Sequence, residues 1–186
     1  MRNAGLLLLL ALALSGCRVS ESETTEARTG EAYARVNEIN ELAILPVILP
    51  DTISGFTTEE EVAAWRLSWP SLAANEIVEG MKHELFLDVD TRAAEAKPVS
   101  GYYFQLTISK LEIADPDVVA ADPMMFDQDG WSQVEAVGAI FDADDGELVA
   151  ELKFHVSSGG GGETAFEQDM NKLGEQLADW LESAQR

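Results

Sequence analysis

The stretch Ile140-Phe141-Asp142-Ala143-Asp144-Asp145-Gly146-Glu147-Leu148 decides the fold. Its centre is a turn. Glycine accepts a positive φ without steric cost, and an Asp-Gly pair between two apolar runs is a strong hairpin signal. The flanking residues 134–142 and 148–156 are rich in Val, Ile, Leu and Phe. Leu148, Ala150, Leu152, Phe154 and Val156 recur at every second position, which places all five on one face of a strand. The stretch predicts a β-hairpin with one buried face.

Working outward, Tyr102, Phe104, Leu106 and Ile108 alternate with Tyr103, Gln105, Thr107 and Ser109, the pattern of a half-buried strand. Upstream, Ala43-Ile44-Leu45-Pro46-Val47-Ile48-Leu49 predicts a further short strand, which Pro46 restricts to an edge or a bulge. Between them, Thr58 and Glu61 have the spacing of a capping box, so a helix begins near Glu59. Ala73, Ile77, Met81 and Leu85 give it one buried face, and Pro70 either kinks it or opens a second helix. After the hairpin, residues 157–162 form a glycine-rich connector, and Thr164 with Glu167 repeats the capping box. The last helix runs to about Ser183. Its Phe166, Met170, Leu173, Leu177 and Trp180 make one apolar stripe suited to lie on a sheet. The order strand, helix, strand, hairpin, helix defines an α/β sandwich of the α+β type. Its sheet is mixed, mainly antiparallel and of about four to five strands, with helices packed against it.

Residues 1–16 are of another kind. Arg2 precedes an apolar run from Leu6 to Leu14, and Leu14-Ser15-Gly16-Cys17 follows. A charged start, an apolar centre and a small-residue end make a secretory signal peptide. The run falls short of the ~20 residues that a membrane-spanning helix needs. This segment resembles the signal and lipobox of bacterial lipoproteins. The resemblance implies cleavage before Cys17, lipid on its sulfur and a further acyl chain on the new amino terminus. Each buried methylene contributes about 0.8 kcal/mol, so two or three chains hold a protein firmly in a membrane. Arg18, standing where aspartate favours inner-membrane retention in enterobacteria, implies the outer membrane, facing the periplasm. Residues 17–40 then read as the lipidated cysteine and a flexible acidic tether with a span of roughly 25–30 Å. Residues 41–186 read as a single periplasmic domain.

The 186 residues include 12 basic and 34 acidic ones, for a formal charge of −22. Such a field repels nucleic acid and anionic headgroups, which need clustered Lys and Arg, and no basic run occurs. A nucleic-acid partner is excluded on that ground. Cys17 is the only cysteine, and its acylation leaves no thiol for a disulfide, a thiolate metal site or a nucleophile. The fold must rest on a hydrophobic core, and residues 41–186 suffice to build one.

Ile44-Leu45-Pro46-Val47, Tyr102-Tyr103-Phe104-Gln105-Leu106, the 140–148 stretch and the closing amphipathic helix together carry a second resemblance. They are similar to small envelope lipoproteins whose domain resembles the curli-secretion lipoprotein and the TolB amino-terminal domain. That resemblance implies an α/β envelope domain with no shared catalytic residues, some members of which assemble or service envelope machinery. Residues 115–131 depart from it as a long insert before the hairpin.

Each candidate site has a plainer reading beside it. The glycine connector has the layout of a phosphate cradle, but no Lys-Ser or Lys-Thr follows, and Glu163 and Glu167 already occupy the positive helix end. Asp142, Asp144 and Asp145, and likewise Asp127 and Asp129, offer oxygen ligands for calcium but do not follow the EF-hand spacing. Turn chemistry accounts for them. His83 and His155 lack the local ligand pair of a zinc site, and no Gly-x-Ser-x-Gly turn is present. No catalytic residue, metal or cofactor is assigned, and the chain is read as not an enzyme. The insert is the assigned partner-binding segment: Met124, Met125, Phe126 and Trp131 place large adaptable apolar groups in a loop. The plainer reading folds them back over an open end of the core. Trp65 and Trp69 pose the same choice, with Trp65 placed in the core. The expected function is that of a non-enzymatic, outer-membrane-anchored periplasmic accessory protein that contacts an envelope protein partner. The alternative is a module holding a small or lipid-like ligand in an apolar pocket between helix and sheet. An unrecognised enzyme is the third reading.

Overall fold

A computed structural model describes residues 21–30, 32–55, 58–83, 88–114, 132–158 and 162–186. The hairpin forms as expected. Strands β5 (Ser132–Asp142) and β6 (Leu148–Ser158) pair antiparallel, and Gly146 turns between them with φ 77°. Strand β4 (Tyr102–Glu112) adds antiparallel to β5, and β2 (Glu41–Ile44) lies parallel to β4. Two strands not foreseen complete the sheet: β3 (Asp90–Ala93), parallel to β2, and β1 (Glu21–Thr29), antiparallel to β6. The spatial order is β1-β6-β5-β4-β2-β3. The fold class is the mixed, mainly antiparallel α/β arrangement expected, with six strands rather than four to five.

Two helices pack on one face of this sheet, α1 (Glu59–Lys82) and α2 (Gly162–Ala184). The capping box at Thr58 is made in full: Glu61 N–H donates to Thr58 Oγ1 at 3.2 Å, and Thr58 N–H donates to Glu61 Oε2 at 3.0 Å. Pro70 does not end α1. Its own carbonyl instead accepts from Val47 N–H at 3.0 Å, which ties the helix to the chain leaving β2. Helix α2 starts earlier than expected, so Thr164 lies within its first turn and not at a cap. The two helices touch backbone to backbone. A Cβ on Gly80 would lie 1.9 Å from Asn171 O, and one on Gly174 would lie 2.2 Å from Ile77 O.

Between helices and sheet, Trp69, Phe104, Phe166, Ile77, Met170 and Leu173 are all buried. Each such side chain contributes roughly 1.5–3 kcal/mol through burial. Gly138 in β5 makes room for the rings of Phe104 and Phe154, which meet edge to face with centroids 6.2 Å apart. Trp69 is 1% exposed and packs on Phe166 at 4.1 Å between centroids, while Trp65 stacks over it half-buried. Trp65 packs against the core as expected, but Trp69 is the more deeply buried of the two. Pro70 and Trp69 belong to one turn, so the deeper ring sits where the β2 connection binds the helix.

Two expectations are corrected here. The apolar run 43–49 is a strand only as far as Ile44, because Pro46 has no N–H to give to a ladder. The chain nevertheless continues beside β4 with irregular bonds: Leu45 N–H to Phe104 O at 3.0 Å and Ile48 N–H to Leu106 O at 2.9 Å. The second correction is larger. Within residues 17–40, read as a flexible tether, 21–29 form β1 and Tyr33–Glu38 form a 3-10 helix that buries Val36 at 2% exposure. An edge strand needs backbone partners more than apolar side chains, so a polar, threonine-bearing sequence can supply one. Thr24 hydrogen-bonds to Gln176 of α2, and Trp180 Nε1–H donates to Glu26 Oε2 at 3.2 Å, so the inner edge of β1 is fastened to the helix layer.

Candidate functional site

Cys17 lies outside the described residues, as do Met124, Met125, Phe126 and Trp131 of the insert. The residues on either side of the insert are described. Ala114 N–H donates to Ser132 Oγ at 3.3 Å, which pins the two flanks of the insert together. Gly162 N–H donates to Ala114 O at 3.1 Å, bringing the start of α2 to the same point. Ser54, just before α1, pairs with Glu112 at the end of β4. One end of the sheet therefore gathers the flanks of the insert and the approach to both helices.

Beneath that end lies a buried polar group of three: Ser132, Ser158 and Asp169. Ser132 and Ser158 are cross-strand partners, and Asp169 comes from α2 at 1% exposure. The Ser158 hydroxyl donates to Ala165 O at 3.3 Å. Its nearness lowers the Asp169 pKa somewhat, but loss of water outweighs this and pushes the carboxyl up to about 7. Among the described residues neither carboxylate oxygen of Asp169 has a hydrogen-bond partner. A buried carboxylic acid in that state favours its proton.

The opposite end carries the acidic hairpin turn. Arg35, from the 3-10 helix, donates to Asp142 Oδ2 and Asp145 Oδ2, each at 2.6 Å, and its Nη2 lies 3.3 Å from Glu147 Oε2. Asp142 Oδ1 accepts from Asp144 N–H at 2.9 Å. The guanidinium holds the Asp145 carboxyl below its ordinary range. Asp142 and Asp145, weighed above as calcium ligands, face an arginine, and Asp127 and Asp129 lie outside the described residues. Among the described residues no group of three or more His, Cys, Asp or Glu side chains is arranged to hold a metal ion. The histidines stand apart: His83 closes α1, with Nδ1 3.8 Å from Glu175, and His155 is exposed on β6.

The sheet face turned away from the helices is the broadest candidate surface. Strand alternation places Tyr103, Gln105, Thr107, Val137, Ala139 and Phe141 there, all half-buried or exposed. Tyr103 and Phe141 stack with centroids 5.2 Å apart, and Lys97 Nζ sits 5.3 Å from the Tyr103 centroid. Lys110 stands opposite Glu135 and 3.2 Å from Glu112 on its own strand, and Lys153, Glu151 and Glu23 share the face, which therefore carries charges of both signs. The alternation in 102–109 sets Tyr103, Gln105 and Thr107 apart from the buried face; it places neither Val137, Ala139 and Phe141 nor the surface they form together. Among the described residues no helix is long and apolar enough to cross a membrane.

No family model matches the chain, and no curated protein matches it. Among solved structures it is similar to the PelC dodecamer from Paraburkholderia phytofirmans, at 14% identity and a TM-score of 0.46, over 88% of this chain and 97% of that one. A point variant of the same dodecamer gives 13% identity and 0.43, with the same coverage. An uncharacterised protein gives 11% identity and 0.37, over 77% of this chain and 90% of that one.

Proposed function

We infer that this is a lipid-anchored periplasmic protein of the outer membrane that works by contact with an envelope protein and not by catalysis. The observation that carries the contact reading is the open sheet face. It bears a stacked aromatic pair and mixes Lys110 and Lys153 among its carboxylates, so it can be desolvated against a protein with less repulsion than a uniformly acidic surface. The envelope address is supported by the lipobox-like Leu14-Ser15-Gly16-Cys17. The ligand-module reading required an apolar pocket between helix and sheet. The side chains of Trp69, Phe104, Phe166 and Met170 occupy that space, which favours the contact reading.

A photo-crosslinking residue placed at Thr107 or Val137 in cells should yield one discrete adduct. The same residue at exposed Asn75 on α1 should yield none, and Cys17→Ala should abolish the adduct. Equal labelling from all three positions would discard the sheet face as a contact surface. The insert is tested separately: replacing Met124, Met125 and Phe126 by polar residues should abolish capture without lowering Tm. Unchanged capture would remove those residues from the binding surface.

A further inference from the structure

The position of β1 fixes how the anchor meets the domain. Glu21 stands opposite Ser157, near the end of β6, and Ser158 stands opposite Ser132, where β5 begins. Ala114 and Gly162 join them through the bond described above. The hairpin turn lies at the other end, where Thr29 faces Ala150 and Arg35 grips Asp142 and Asp145. Since β6 has 11 residues, these ends are separated by about 35 Å. Only four chain steps separate Cys17 from Glu21, a reach of about 14 Å at full extension. A free tether over 17–40 would have given twice that reach and no fixed direction. Here β1 is paired along its length and fastened to α2 through Thr24 and Glu26.

We propose that the end of the sheet formed by Glu112, Ala114, Gly162 and Glu163 is the face of this protein held against the phospholipid headgroups of its own membrane, with the 143–147 turn directed outward. This rests on the reading of Cys17 as the lipid-bearing residue. Covalent geometry enforces the contact, not charge: Glu112 and Glu163 are acidic, so this end has no electrostatic attraction for anionic lipid. Added salt therefore does not release the contact, because it screens only a repulsion.

The experiment uses the full lipidated chain on vesicles of phosphatidylethanolamine and phosphatidylglycerol that contain a headgroup-quenching lipid. Acylated Cys17 offers no thiol, so a single introduced cysteine takes the fluorophore. Glu163→Cys reports on the proposed membrane end and Asp144→Cys on the turn; both positions are exposed. Quenching at position 163 should exceed that at 144 roughly threefold or more, because about 35 Å separates them. Insertion of a flexible Gly-Ser segment between Val19 and Ser20 should bring the ratio close to one while the protein still floats with the vesicles. Equal quenching in the unextended, floating protein, or stronger quenching at 144, overturns the orientation and leaves the anchor intact. Failure of the unextended chain to float, with Cys17 present, overturns the anchor and the orientation with it.

Discussion

At the scale of single residues, Asp169 carries a measurable cost. Its carboxyl is buried, lacks a hydrogen-bond partner among the described residues, and is pushed from 3.8 to about 7. Because the folded pKa lies above the unfolded one, the folded state holds its proton more tightly, and stability falls as pH rises between those two values. Asp169→Asn removes that linkage. Its stability advantage over the parent should grow by up to ~1.4 kcal/mol per pH unit between about pH 4 and about pH 7, then stay constant. Urea unfolding at several pH values checks this, and a difference independent of pH would show that ionisation of Asp169 is not the costly event. Nothing in the sequence marked this residue. Asp169 sits beside Met170 at the border of the apolar stripe of an amphipathic helix, and only the packing of that helix on the sheet decides that it is buried. Trp69 teaches the same lesson, since helical periodicity alone could not rank it against Trp65 one turn away.

At the scale of elements, the contact between α1 and α2 is governed by Gly80 and Gly174. An exposed helical glycine changed to alanine usually gains about 1 kcal/mol from backbone entropy. Here the new methyl would meet a carbonyl oxygen of the other helix well inside contact distance. The helices must separate, and overpacking of this kind costs about 1–3 kcal/mol or more. Gly174→Ala should therefore destabilise the protein despite its higher helix propensity, as read by thermal or urea unfolding; a neutral or raised Tm would mean the helices slide apart freely. The elements that were legible were those whose signals are local. The Asp-Gly turn, the period of two in β4 and β6, the box at Thr58 and the stripe on α2 each need only neighbouring residues to be recognised. Strands β1 and β3 escaped because their partners are distant and their side chains polar. Asp90-Thr91-Arg92-Ala93 becomes a strand only because β2 lies beside it. Of the candidate sheet face only the β4 positions Tyr103, Gln105 and Thr107 were legible, because register between strands is what adds Val137, Ala139 and Phe141 beside them.

At the scale of the whole molecule, the formal charge of −22 sets a general repulsion that the core must overcome. Salt screens it, with the Debye length falling to about 8 Å at physiological ionic strength. Tm should rise as NaCl increases from about 10 mM to about 150 mM, while the Arg35 clasp, being an attraction, weakens. A fall in Tm over that range would show that specific ion pairs outweigh the general field. The placement of β1 also has a consequence in time. A chain synthesised from its amino terminus presents residues 21–29 early, yet their partners, 150–157, come more than a hundred positions later. Until then β6 does not exist to receive them, so the hairpin can assemble with β4 before its outer edge is closed. An early segment of the chain thus waits for a late one, and the sheet is complete only when its first strand closes the outer edge.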